Sequence, residues 1–459
     1  MFAQRSVPAS RPYLALVGLA AAIAAAPVAA QRTLTVPDQY STIQAAIDAA
    51  VRGDTVVVAD GVYRGTGNKD LTFRGKDIIV RSANGAPSCI IDCEGSTADP
   101  FRGFLFEEGE TRDAVVEGFT ITNGATLPGA ISDPFNGGAI RVRRESSPTI
   151  RDCVFEGNSA GCWGGGVYVG FGGSPLITGC VFKSNTADDG GGFFSWMGAR
   201  TTIEDSLFVG NSVNTTGGAI AGFGGGGGLD IDGCTIVGNT APFGVGGLVE
   251  FGNESTVTHS ILWGNSAGAQ VATSGAAVDY CAIEGGHPGL GNIDADPSFV
   301  DAQQGDYRLA AGSPCVDAGD PAGPFGGVDL AGMPRHLDGD LDGAIVRDMG
   351  AHEFGHVHLD APPAARRGAV LTLDTTGTST LMSVLLVGTR PGEQMLPPFG
   401  ALLLDLGAPW AVLDIGVVPA QRHVPIPGLP VGLRLSFQDL VFASSSIGNT
   451  SNRVDVVIE

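Results

Sequence analysis

The sequence predicts an all-β protein: a right-handed parallel β-helix solenoid with an N-terminal cap helix, then a small C-terminal β-sandwich. Three observations predict it. The first is a phrase that recurs five times, as CVFEGNS, CVFKSNT, SLFVGNS, CTIVGNT and ILWGNS. Its asparagines, Asn158, Asn185, Asn211, Asn239 and Asn265, are spaced 27, 26, 28 and 26 residues apart. A fixed period in this range marks a solenoid, in which no repeat buries its apolar side without neighbours. The second is what fills the period: Gly, Asn, Thr and Val, where a helical solenoid needs long runs of good helix formers. The third is a set of short apolar runs, such as LITGCVF and TTIEDSLF, which Gly or Asn cuts into strands of a few residues.

Three strands and three turns fit one rung, so equivalent positions stack along the axis. This predicts an apolar column at Phe155, Phe182, Phe208, Ile236 and Leu262, and a small-residue column at Cys153, Cys180, Ser206, Cys234 and Ser260. The asparagines form an inward hydrogen-bonded ladder. The glycine elements that follow each copy, Gly165-Gly166, Gly191-Gly192, Gly217-Gly218 and Gly246-Gly247, allow close backbone approach.

The ends read differently. Arg5 and Arg11 precede an apolar stretch, Leu14 to Ala26, that closes in Val28-Ala29-Ala30. Residues 1–30 therefore read as a signal peptide cleaved after Ala30, and the expected location is secreted, extracellular or cell-surface. The stretch is too short for a membrane span, and no second long apolar run follows. Ser41 with Gln44 reads as a capping box, with Ile43, Ile47 and Val51 at helical spacing behind it. Such a helix covers the open end of a solenoid, which otherwise exposes apolar surface and strand edges. The β-helix with its cap is assigned to 31–293. From 294 to 358 the repeat is lost and acids and glycines dominate; 359–367 reads as a linker, and 368–459 alternates apolar and polar positions as an antiparallel sandwich does.

The net charge is −22, and losing Arg5 and Arg11 makes it −24. Only Lys69, Lys76 and Lys183 are lysines. This balance argues against nucleic acid or anionic lipid as partners and suits divalent cations, although acidity also simply keeps an exported protein soluble. Eight cysteines in an exported chain can form disulfides. Cys89 with Cys93 and Cys153 with Cys162 are near enough in sequence to pair, but a column that also accepts Ser206 and Ser260 suits small inward packing.

Several words carry chemistry, each beside a blander reading. Asp338-Gly339-Asp340-Leu341-Asp342-Gly343 is a calcium-loop pattern, in which alternate carboxylates converge on a hard cation; Ala344 offers a carbonyl and Asp348 a further carboxylate. The bland alternative is a solvated acidic turn. His352-Glu353-Phe354-Gly355-His356 spells HExxH, the zinc-protease word, but that chemistry needs a helix, and Gly355 with its surroundings argues against one. With His358, these histidines also suit incidental zinc. GNSAG around Ser159 and Ser266 fits a nucleophile elbow only in spelling, because both copies occupy the same repeat turn. Asp188 and Asp189 can in principle act as acid and base, against the plainer reading of a solvated loop. Arg141, Arg143, Arg144, Arg151, Lys183 and Arg200 form the basic cluster near the regular rungs. Arg141 and Arg143 alternate on one strand-like stretch, Arg143 and Arg151 suit a uronate chain, and Trp163 and Trp196 suit stacking on sugar rings. Scattered surface arginines are the bland alternative.

The words FxGN and GGA[IV] in these rungs resemble the repeats of the pectin-lyase-like superfamily, especially polymorphic outer-membrane-protein repeats. STIQAAIDAAVRGDTVVVADGVY resembles the cap of secreted bacterial members. The segment from Asp296-Pro297 through Gly312-Ser313-Pro314-Cys315-Val316-Asp317 to Asp348-Met349-Gly350-Ala351-His352-Glu353 is similar to the choice-of-anchor Q module. The resemblance spans roughly residues 33 to 354 and implies lyases, hydrolases, epimerases or adhesins. Polygalacturonase-type members carry NTD, DD, GHG and RIK words; this chain has Asp188-Asp189 and Gly286-His287 but no GHG or RIK. The resulting expectation is a non-catalytic recognition or adhesion scaffold for polysaccharide or a cell-envelope component. The alternative is a calcium-dependent uronate lyase or a glycoside hydrolase.

Overall fold

The computed structural model describes residues 31–129, 136–223, 227–252, 254–266, 268–323, 327–335, 337–340 and 344–355, with the backbone of the strands between Val357 and Ile458. The signal segment 1–30, Asp342 and His356 lie outside the described residues.

Short strands separated by Gly and Asn wind into three long parallel sheets. The first has ten strands, from Thr33–Val36 to Ala277–Asp279; the second has nine, from Gly61–Tyr63 to Ala282–Ile283; the third has eight, from Leu71–Thr72 to Val271–Thr273. Successive strands of each sheet come from successive rungs in the right-handed sense that parallel connections adopt. The predicted columns hold. Phe155 pairs with Phe182, then Phe208, Ile236 and Leu262, all fully buried. The Phe182 and Phe208 rings stack at 4.3 Å and 3°. Cys153, Cys180, Ser206, Cys234 and Ser260 are likewise fully buried, and all eight cysteines are free thiols.

The asparagine ladder runs unbroken. The backbone N and Nδ2 of Asn158 both donate to Oδ1 of Asn185 at 3.0 Å, and the same pair of bonds links Asn185 to Asn211, Asn211 to Asn239 and Asn239 to Asn265. Each Nδ2 also reaches a carbonyl one rung back, as Asn211 does to Phe182 at 2.9 Å. Gln270, which the repeat does not predict, ends the ladder by accepting both donors of Asn265. The glycine columns differ by one place from a simple reading of the word GGA. Register puts Gly218 with Gly191 and Gly246, because Ile220 pairs with Phe193 and Leu248. A Cβ on Gly218 would lie 2.4 Å from the Gly246 carbonyl oxygen, so side chains are excluded there.

The cap is the helix Ile43–Ala49, whose Ile43, Ala46 and Ile47 are buried. Its N-cap is Thr42, whose hydroxyl accepts from Ala45 N–H. The expected Ser41–Gln44 box does not form, since Gln44 donates to Asp48 and to the Thr72 carbonyl of the next rung. Val51 falls beyond the helix and is exposed.

The acidic segment packs back on the last rungs. Ile261 and Ala282 share a buried cluster with Leu309, Cys315 and Met349. Arg335, fully buried, donates to Asp205 at 2.5 Å and to the Gly350 carbonyl at 2.9 Å, while Arg347 bridges Asp205 and Asp232 at 2.7 and 2.5 Å. Beyond it the backbone forms a sheet pair of mainly antiparallel strands. Val357–Asp360 already pairs with Val370–Gly377, and Ala364–Ala365 with Val454–Ile458, so pairing begins ahead of residue 368.

Candidate functional site

Alternation along the third sheet sorts its side chains. Val167, Phe193, Ile220 and Leu248 enter the main core, while Tyr168, Phe194 and Ala221 face outward into a second cluster. Trp163, from the turn ahead of Val167–Val169, lies on Phe194 at 4.7 Å and 2° and against Trp196 at 4.7 Å. Trp163 is therefore a buried underlayer and does not present a stacking surface, whereas Trp196 is half-buried. Trp196 pairs in register with Phe223, and Phe251 follows one rung on, with Phe223 and Phe251 centroids 5.5 Å apart. Phe251, Met197 and Phe171 are exposed. Sequence reasoning singled out Trp196 alone; aligning the rungs on Phe193, Ile220 and Leu248 brings out Phe223 and Phe251 three places later.

The basic cluster is not gathered into one site. Arg141 pairs with Glu107 at 2.5 Å, Arg151 with Glu117 at 2.6 Å, Lys183 with Glu156 at 2.8 Å, and Arg200 with Asp230 and Glu254 at 3.3 and 3.4 Å. Arg143 is buried, its guanidinium 5.3 Å from the Phe171 ring centre. Arg141 and Arg143 thus serve different surroundings. Asp188 and Asp189 are capped by the next rung: Asn214 Nδ2 donates to Asp188 at 2.7 Å, while the Thr215 hydroxyl and the Thr216 N–H donate to Asp189. Beside them burial, then these two carboxylates, push the Cys162 thiol up to about 11, so it stays protonated.

In the acidic segment, Asp338 and Asp340 converge with Asp317, with ligand oxygens all within 4.8 Å of one another. That span is about twice a calcium–oxygen distance of roughly 2.4 Å. Asp317 Oδ2 accepts Asp340 N–H at 2.8 Å, while its buried Oδ1 has no hydrogen-bond donor. Burial, and then the Asp340 and Asp338 charges, raise its carboxyl to about 6 in spite of the Asp340 and Gly339 amides. Asp348 is not in this group. Its two oxygens accept the N–H groups of Asp317, at 2.7 Å, and of Phe354, so it orients the loop from behind. No spacing rule points to Asp317, because it arrives from another turn of chain.

The HExxH word has no helix among the described residues. Glu353 is buried, 3.6 Å from Arg335, and accepts Asp348 N–H at 3.2 Å, while His352 Nδ1 lies 3.7 Å from Asp329. Glu353 is thus committed to the clamp and has no geometry for activating a zinc-bound water.

Residues 78–285 match a family described as the right handed beta helix region. No curated protein and no solved structure matches the chain. Strand register and this match together make residues 78–285 a right-handed β-helix of pectin-lyase-like fold.

Proposed function

We propose that this chain is an exported, non-catalytic recognition scaffold that binds polysaccharide or another cell-envelope component along the outside of its rungs. One observation carries the reading. The groups a lyase or hydrolase would need are taken up by neighbouring rungs, while an aromatic column on the third sheet, half-buried at Trp196 and Phe223 and exposed at Phe251, reaches solvent. A catalytic base must reach a substrate proton, and an arginine held in an ion pair, or an aspartate capped by amide and hydroxyl donors, is poorly placed for it. In the same reading the 294–354 segment, similar to choice-of-anchor Q modules, is a clamp rigidified by calcium on Asp317, Asp338 and Asp340. The support is the unpartnered Asp317 Oδ1 and the like charges beside it.

The test is a panel of polysaccharides offered to purified protein, with and without calcium, scored for both turnover and binding. Binding without release of unsaturated or reducing ends is expected. Release of such ends, lost in R143A, would overturn the reading in favour of a lyase. Calcium should raise the melting temperature by several degrees, as selective binding to the native state does. That rise should vanish in D317N; an unchanged melting curve removes calcium from the scheme.

A further inference from the structure

We infer that the ligand of the third-sheet face is an uncharged glycan running parallel to the solenoid axis over Trp196, Phe223 and Phe251. The inference rests on the scaffold reading and names the ligand class it left open. The face is continuous: Phe194 and Phe223 centroids are 5.6 Å apart, Phe223 and Phe251 5.5 Å, and Met197 N–H donates to the Phe223 carbonyl. It is also held rigid from beneath, since Trp163 and Phe194 stack within 2° of parallel. Phe251 is 48 % exposed and Met197 52 %, an apolar strip of the kind that marks an interaction site on a soluble surface.

Charge selects among occupants. Of the basic side chains named near the regular rungs, all but the exposed Arg144 are paired or buried, and the chain carries −22. A polyuronate would bring a carboxylate on every unit to a surface where Arg144 alone is a spare counter-charge among these groups, and like-charge approach is penalised. An uncharged pyranose chain instead offers apolar C–H faces for aromatic contact and hydroxyls for hydrogen bonding. Arg200, three residues after Met197 in sequence, is shared between Asp230 and Glu254. Rungs repeat about every 4.8 Å. One sugar unit of an extended chain is about as long, so a chain lying along the axis meets one side chain of the column per unit.

The experiment measures binding of galactomannan, mixed-linkage glucan and polygalacturonate to the full chain, beside W196A and F251S. Unchanged circular dichroism and melting curves establish that the variants fold; F251S alters an exposed side chain and serves if W196A does not fold. Expected is binding to at least one neutral polymer, weakened about tenfold or more in the variants, as loss of a stacked aromatic contact implies. Preference for polygalacturonate would overturn this inference and leave the scaffold reading standing. Neutral binding unaffected by the variants would overturn the assigned face. Absence of binding to any glycan would overturn both. Self-association that F251S abolishes would make the strip an interface between copies and overturn the glycan.

Discussion

The regular rungs and the acidic segment clamped onto them solve one problem, burying polar groups, with opposite chemistry. In the rungs the buried polar column is asparagine from Asn158 to Asn265, and its three inner members, Asn185, Asn211 and Asn239, are each both donor and acceptor to their own kind. In the acidic segment the buried polar groups are, but for Ser313, charges: Arg335, Asp329, Asp338, Asp348 and Glu353. Burial drives the Asp348 and Glu353 carboxyls upward, while burial at Asp329 is outweighed by His352 and Arg335 and its carboxyl is held low. An amide can stack on itself at rung spacing; a carboxylate cannot, because its copy repels it. Repetition therefore favours neutral self-complementary side chains in the stacked columns, and buried charge gathers where the repeat ends, with Arg143 and Glu250 as single exceptions among the regular rungs.

The strongest way to break this contrast is to interrupt the ladder. Asn211→Leu removes the acceptor of Asn185 N and Nδ2 and the donor to the Phe182 carbonyl, all buried. Orphaned buried groups cost about 1–3 kcal/mol each, so a total near 5 kcal/mol is expected from denaturant midpoints. A loss below about 1 kcal/mol would mean the ladder is ornamental and the apolar column alone holds the rungs.

The clamp comes next. Arg335→Met leaves Glu353 buried without its nearest cation and Asp205 with Arg347 alone. A loss of about 3 kcal/mol is expected. Because the charges are local, amide exchange should rise across residues 315–354 while residues 149–237 stay protected. Uniform exchange would show that the two regions open as one. Acid probes the same clamp. Burial of Asp232 is outweighed by the His259 hydrogen bond and the Arg347 charge, which hold its carboxyl well below the usual range. A depressed carboxyl contributes stability in full above its unfolded value, about 3.9, and loses it as pH falls through its lower folded value. Exchange corrected for intrinsic rates should therefore rise in the clamp below about pH 4, ahead of the rungs.

Legibility followed the same boundary. Wherever a side chain meets its own copy, the sequence displays the contact as a period, so the Phe155 and Asn158 columns could be read directly. Contacts between unlike residues far apart in the chain leave no such trace. Arg335 on Asp205 and Asp317 beside Asp338 are of that kind, as is the replacement of Asp348 by Asp317 in the acidic group. Arg143 and Trp163 show another limit: residue type suggested a ligand surface, but only packing shows that Phe171 and Phe194 claim them first. The column of Trp196, Phe223 and Phe251 lay within reach of register, hidden because its members differ in kind.

The smallest expected effect sharpens the contrast from the other side. Glu156 and Lys183 oppose each other on adjacent strands of the second sheet, 2.8 Å apart, with about half of each side chain in water. They are the rung counterpart of an Arg335 pair, differing chiefly in exposure. Solvent screens such a pair, and ordering two long side chains offsets most of its attraction, leaving about 0.5 kcal/mol or less. Lys183→Met should thus leave the denaturant midpoint nearly unchanged, and added salt should erase the remainder. A cost above about 1 kcal/mol would show that outward charges do help align the rungs. Exposure, more than the end of the repeat, would then no longer separate the two regions, and the ladder would lose its place as the main polar device of the rungs.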